Sequence, residues 1–354
     1  MLRKVVDRAE ERGWDAELVF TTEAEGRGWL RELIDDGYRV RLAPELRRRH
    51  LADWVSDLLA ESEEPALLHT HFTGFDIPAV LASRRRPETD VVWHFHSGLD
   101  ANLLTRIRHR LKYRIFGRRV DAVLCVSPDQ VATLVDRGMD VAKLDVFPNA
   151  IDTERFRPAG REQRDRARSI LRLGSGDQVL LHFGYDWVLK GGDRLVNALR
   201  ILRDRGNDSV IAVSVTVAGD ADRASDGLSD TPGLRWVGPM EDVSLLYAAA
   251  DLYVSAGRGE GQPYAVLEAL SSGLPVLASQ LPGHAQIAEA VPACRLVDMD
   301  DPEAFAESIR AVLSQGPEER SKGAEAGREA VRANFGIDAW TDRLFAKYDE
   351  IIAA

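Results

Sequence analysis

Cysteine is nearly absent. There are two in 354 residues, Cys125 and Cys294, far apart and in no CxxC or Cys/His spacing. That excludes a disulfide framework and a conventional zinc site, and it suits a reducing compartment. Long apolar runs are also missing. No stretch approaches the roughly 18 apolar residues of a membrane span. The opening residues, Met1-Leu2-Arg3-Lys4-Val5-Val6-Asp7, lack the apolar stretch of a secretory signal, so a cytoplasmic setting is expected. Lysine is scarce, 6 against 40 arginines. No excess of positive charge exists either: 46 basic side chains face 57 acidic ones, a net charge of -11, which excludes a generally basic nucleic-acid coat. Three common site motifs fail. There is no GxxxxGK[ST], Gly257–Gly261 does not complete GxGxxG, and no GxSxG occurs.

What is present is a regular alternation. Short apolar strands are expected near residues 16–20, 38–42, 66–71, 91–95, 122–127 and 144–147. A second set falls near 178–183, 210–218, 234–237, 252–255, 275–278 and 294–297. Segments of helical apolar spacing lie between them. Apolar strands separated by helices imply parallel sheets buried on both faces, and two successive runs imply two doubly wound domains. The polar, turn-rich stretch after Phe147-Pro148-Asn149 marks the boundary: residues 1–152 form one domain and 153–336 the other. A last helix over 337–354 carries Trp340, Leu344, Tyr348 and Ile352 at four-residue spacing. The chain opens with a helix, Leu2 to Arg12, where a doubly wound domain normally opens with a strand. The first N-terminal strand is therefore expected to be absent, through a late start or as a real feature.

Three segments carry chemistry. Gly259-Glu260-Gly261-Gln262-Pro263-Tyr264 follows a strand and precedes a helix, with Pro263 read as its first position and Glu268 one to two turns in. Glycines there let a ligand approach the backbone, and a helix N-terminus offers unpaired N–H groups to an anion. Taken alone, Glu260 and Glu268 also read as a solvated loop carboxylate and a helix-surface carboxylate. His182-Phe183-Gly184-Tyr185 ends another strand and leads to Lys190-Gly191-Gly192, a point charge for phosphate at the mouth of a helix, or simply a loop. Val146 to Pro158 is a strand followed by a connector.

Together these segments resemble the retaining glycosyltransferases of sequence family 4, whose fold is called GT-B. Pro148–Pro158 is similar to the family's linker. Gly184 and Lys190-Gly191 fit the opening of its C-terminal domain, and Glu260 and Glu268 fit its paired glutamates. Gly219-Asp220 and Trp236-Val237-Gly238 also fall where its pattern has them. The resemblance implies two Rossmann-like domains facing a central crevice, with helix 337–354 packing back on the first. It also implies hexosyl transfer from a nucleotide-diphosphate sugar to a glycan, lipid-linked or small-molecule acceptor, as in glycan biosynthesis, without cofactor or metal.

Residue by residue, the resemblance places Lys190 on the donor diphosphate, Glu268 on the ribose hydroxyls and Glu260 by the transferred sugar. It places Gly184, Gly261, Gln262 and Pro263 along the sugar and phosphate, Val237 and Gly238 toward the base, and His96 beside the sugar. There are departures. Tyr185 stands for the usual phosphate-binding Arg, Pro263 for a common Gly, Ala150 for the linker Gly and Gln286 for a frequent Glu. They keep open a noncatalytic nucleotide-sugar-binding subunit as the alternative, with a sugar-nucleotide epimerase as a third option.

Two further features stand apart. His69, His71 and His94 join His96 at strand ends, as ligands or as polar rim and satisfied core. Residues 102–119 hold seven basic side chains and no acidic one. Leu104, Ile107, Leu111 and Ile115 form a helical stripe. Either that stripe buries an ordinary surface helix, or the basic side chains meet an anionic membrane surface or acceptor, making the protein peripheral at the inner face of the membrane.

Overall fold

The computed structural model describes residues 1–45, 47–71, 74–96, 103–216, 231–240 and 242–353. It divides into two compact units: Met1–Asn149 with Ile337–Ala354, and Ala150–Gly336.

In the first unit a helix, Leu2–Glu11, precedes a parallel pair of strands, β1 (Leu18–Thr21) and β2 (Val40–Ala43). A parallel sheet then runs in chain order: β3 (Ala66–His71), β4 (Thr89–Phe95), β5 (Ala122–Cys125) and β6 (Leu144–Val146). Alternation decides what each face does. Val91, Trp93, Phe95, Val123 and Cys125 pack with Val80, Tyr113 and Leu134 in one core. β5 stops two residues short of its expected end because Ser127 caps the helix Pro128–Asp136. The opposite face of β3 and β4 carries the four histidines. Trp340 and Tyr348, on the helix Ile337–Ile352, lie against them. On that helix Trp340, Leu344 and Tyr348 are buried as their spacing predicts, but Ile352 is exposed.

The second unit is one six-stranded parallel sheet. Its strands are β7 (Gln178–Phe183), β8 (Val210–Val215), β9 (Leu234–Val237), β10 (Leu252–Ser255), β11 (Val276–Ser279) and β12 (Cys294–Val297), in spatial order β12-β11-β10-β7-β8-β9. Leu181, Val213 and Tyr253 face one core with Val266, Leu270 and Ile287. Leu180, Ala212 and Val254 face the other with Leu199, Phe305 and Ile309. Both faces of the inner strands β7, β8, β10 and β11 are buried, which is why these read as near-continuous apolar runs. Cys125 and Cys294 are buried, one in each unit, and burial pushes both thiols up to about 12. The chain enters and leaves the second unit side by side: Ile151 N–H donates to Phe335 O at 2.8 Å, and Ile151 bridges Gly336.

Candidate active site

In the second unit the chain runs from β7 to β8 in one direction and returns to place β10 on the other side of β7. The carboxyl ends of β7 and β10 therefore flank the switch point of the sheet, where open α/β sheets bind ligands. The loops carrying Gly184–Lys190 and Gly257–Pro263 leave from those two ends. Their charged side chains meet: Lys190 Nζ lies 2.7 Å from Glu260 Oε1, with both side chains mostly buried. The two residues are 70 positions apart in the chain.

Close backbone packing makes this possible. Gly191 has φ +74°, and a Cβ there would sit 2.0 Å from Ala256 O at the exit of β10. A Cβ on Gly192 would lie 2.2 Å from the Trp187 ring, and one on Gly283 only 1.4 Å from Gly261 O. No side chain fits at these positions, so each loop is held against its neighbour by main chain.

Buried histidines pin the same loops. His182 Nε2–H donates to Lys190 O at 2.9 Å, and its Nδ1 accepts from Ser214 Oγ at 3.0 Å. Burial pushes this imidazole down to about 4, so it is neutral. His284 donates from Nδ1 to Ser279 O at 2.9 Å and accepts from Ser255 Oγ at 2.9 Å. Ser279 Oγ in turn donates to Gly257 O at 2.7 Å. His182 and His284 shape the site without pointing into it, and nothing in their local sequence marks them.

Pro263 is not the first helical residue. Its backbone is extended, with φ -75° and ψ 122°, and the helix begins at Tyr264. Proline there fixes the entry of the chain and acts as the cap position. Gln262 is buried, and its amide donates to Gln286 Oε1 at 3.1 Å, so the glutamine standing for a frequent glutamate supports the loop. Glu268 lies on the helix Tyr264–Ser271, partly buried. Burial raises its carboxyl despite the Tyr247 hydroxyl, which donates to it at 2.5 Å, and despite the charge of Arg155. Neither Tyr247 nor Arg155 stands out in sequence.

Gly184 closes β7, its N–H donating to Val215 O at 2.8 Å. Val237 ends β9 and accepts from Thr216 N–H at 3.0 Å, while Gly238 faces open space. Tyr185 stacks on Phe183 with ring centroids 6.0 Å apart and is exposed, so it supplies a hydroxyl where a cation is expected. Arg258 does not replace that cation. Its guanidinium is engaged by both carboxylate oxygens of Asp193, at 2.7 and 2.8 Å. Gly219 and Asp220 lie outside the described residues.

His96 belongs to the first unit, after β4. Its Nδ1 meets Asn149 Oδ1 at 2.9 Å and its Nε2 meets His71 at 2.8 Å. In the same unit the helix Leu103–Phe116 turns the expected way round in charge but not in apolarity. Tyr113 is its buried side chain, while Leu104, Ile107, Leu111 and Ile115 are 74, 58, 60 and 45% exposed. Lys112 is drawn inward to Asp76 at 2.5 Å, whereas Arg108 and Arg114 stay exposed.

Residues 177–315 match the family described as glycosyl transferases group 1, and residues 1–155 match glycosyltransferase family 4. One similar protein is the Escherichia coli UDP-Gal:alpha-D-GlcNAc-diphosphoundecaprenol alpha-1,3-galactosyltransferase, 25% identical over 80% of this chain and 76% of its own length. Another is the D-inositol 3-phosphate glycosyltransferase of Salinispora arenicola, 27% identical over 72% of this chain and 61% of its own. The mannosylfructose-phosphate synthase of Agrobacterium fabrum is 25% identical over 69% of this chain and is likewise spanned for 61% of its length. Among solved structures, Anabaena HepE in complex with UDP and glucose superposes with a TM-score of 0.83 at 16% identity, covering 98% of this chain and 94% of that one. A glycosyltransferase from Rickettsia africae gives 0.84 at 17% identity, over 98% and 93%. These structures establish the GT-B fold, and with the two family matches the chain belongs to the group 1, family 4 glycosyltransferases.

Proposed function

We propose that this protein transfers a hexosyl group from a nucleoside-diphosphate sugar to an acceptor, with retention at the anomeric carbon. The observation that carries this reading is the Lys190–Glu260 pair at the switch point of the second sheet. Breaking the anomeric carbon–phosphate bond leaves negative charge on the departing diphosphate. Lys190 supplies fixed positive charge there, and the start of the helix Tyr264–Ser271 adds N–H groups. Both are in place before the reaction, so turnover needs no added divalent metal. Glu260, freed from Lys190 by the arriving phosphate, accepts hydroxyl hydrogen bonds from the sugar. Glu268 holds the ribose hydroxyls, and Gly238 leaves room for the base. Retention follows if the donor phosphate oxygen takes the proton of the attacking acceptor hydroxyl on the same face as the leaving group.

A thermal-shift panel of UDP, GDP, ADP and dTDP tests the donor site. UDP comes first because HepE was solved with it and the E. coli relative is named for a UDP donor. At 100 times its dissociation constant a bound nucleotide adds about 2.7 kcal/mol of stability. The shift is expected for one base and lost in Glu268→Ala. NMR of the product anomer then tests retention, and no turnover by a folded, nucleotide-binding chain would sink the enzyme reading.

The finer setting is the inner face of a membrane. The support is the helix Leu103–Phe116, whose four exposed apolar side chains are flanked by Arg108, Arg110 and Arg114. That is the composition of an interfacial helix on an anionic surface. Among the described residues no helix is long and apolar enough to cross a membrane. Sedimentation with phosphatidylglycerol vesicles is expected to pull the protein down at low salt, and Leu104→Ser with Leu111→Ser to release it.

A further inference from the structure

Four imidazoles form a block on one face of β3 and β4. His71 stands directly across from His94 in the strand register. Ring centroids are 4.4 Å apart for His69 and His71, 5.3 Å for His71 and His94, and 4.1 Å for His94 and His96. None of the roles proposed above uses His69, His71 or His94.

One set of tautomers satisfies the hydrogen bonds of the block. Asn149 Oδ1 is an acceptor, so His96 Nδ1 carries the proton and donates to it. His96 Nε2 then holds a lone pair and accepts from His71 Nδ1–H. That leaves a lone pair on His71 Nε2. His69 Nδ1 meets the Tyr348 hydroxyl at 2.5 Å, and with its proton there His69 Nε2 is a second lone pair, buried and without a hydrogen-bond partner. His94 is 1% exposed. One side of its ring is turned to the Phe147 main chain, yet neither nitrogen makes a hydrogen bond of ordinary geometry. Buried polar atoms left in this state are uncommon in proteins and call for a partner.

One nitrogen from each of His69, His71 and His94 lies within 4.8 Å of the others. We propose that these three imidazoles bind a borderline divalent transition metal, zinc above all. Three nitrogen donors with no carboxylate disfavour magnesium and calcium and suit zinc, with water as a fourth ligand. Zinc–nitrogen bonds of about 2.0–2.1 Å draw the donors closer than they stand here, by rotation of the side chains. Tyr348 on His69, and His96 with Asn149 on His71, provide the outer hydrogen bonds that orient ligating histidines. The metal would tie β3 to β4, structurally rather than catalytically.

The test is a titration of the untagged full-length chain with zinc chloride against a chromophoric chelator, followed by cobalt substitution. One equivalent, a micromolar or tighter Kd and the visible bands of tetrahedral cobalt are expected. His94→Ala should weaken binding at least tenfold. Because it also removes a buried ring, His69→Gln at the partly buried edge is the second variant, with the same expected loss and an unchanged circular dichroism spectrum. His50→Ala, at an exposed histidine, should bind as the parent does. The proposal is overturned if the folded parent binds zinc no tighter than about 0.1 mM, or if binding survives His69→Gln and His94→Ala.

Discussion

At the scale of single residues, Lys190 is where charge and geometry coincide. Lys190→Ala removes the fixed cation facing the leaving diphosphate. Loss of one such electrostatic contact costs about 10²–10³ in kcat. Steady-state kinetics should show that fall, and the melting temperature should drop as well, because Glu260 is left mostly buried without its cation. His182 itself gives a pH signature. Its folded value, about 4, lies below the ordinary 6.5. Between those values the unfolded chain binds the extra proton, so the stabilising contribution is complete above about pH 6.5 and is lost as pH falls toward 4. That gap corresponds to about 3 kcal/mol. His182→Gln keeps a donor for Lys190 O but cannot titrate. Urea unfolding at several pH values should show a shallower acid slope for it than for the parent. The meeting of Lys190 with Glu260 was prefigured in the sequence by two glycine-containing loops after strands, whereas Glu268, on a helix, was singled out only by the family resemblance. His182, Tyr247 and Ser214 were not legible. Each sits inside an ordinary strand or helix, and its partner lies 8 to 32 residues away.

Elements show where periodicity stops informing. The spacing of Leu104, Ile107, Leu111 and Ile115 marks an apolar face, but it does not say which way that face turns. Tyr113 and Phe116 offer a second face, and the pull of Lys112 toward buried Asp76 settles the rotation in their favour. The same holds for Pro263, whose chemistry suits either the cap or the first turn. Close approaches are likewise invisible in sequence. Gly283 looks like any glycine early in a helix, yet Gly261 O occupies the place of its Cβ. Gly283→Ala must push the Glu260–Pro263 loop away. A loss of about 1–3 kcal/mol is expected from such overpacking, together with weakened nucleotide binding. Chemical denaturation and the nucleotide thermal shift measure the two effects separately.

For the whole molecule, the fold class and the twelve strands of the described residues were readable, because each is a short apolar-rich run set between segments of helical spacing. Which unit owns the last helix was not a matter of periodicity. It is decided by what Trp340, Leu344, Phe345 and Tyr348 bury against. At about 1.5–3 kcal/mol each, these four side chains amount to about 10 kcal/mol, comparable with the entire stability of a domain. Deleting residues 337–354 should therefore melt the first unit while the second persists. Limited trypsin digestion should leave a protected fragment close to residues 150–336 in the deletion. Loss of that fragment along with the first unit would contradict the division. The paired crossing at Ile151 and Gly336 has a temporal consequence. During synthesis the first unit's strands emerge early, but the helix that closes their open face is made only after the whole second unit. The second unit can thus finish folding while the first still waits, its histidine face bare. In the cell this interval is when a chaperone, or a metal ion, would find that face open.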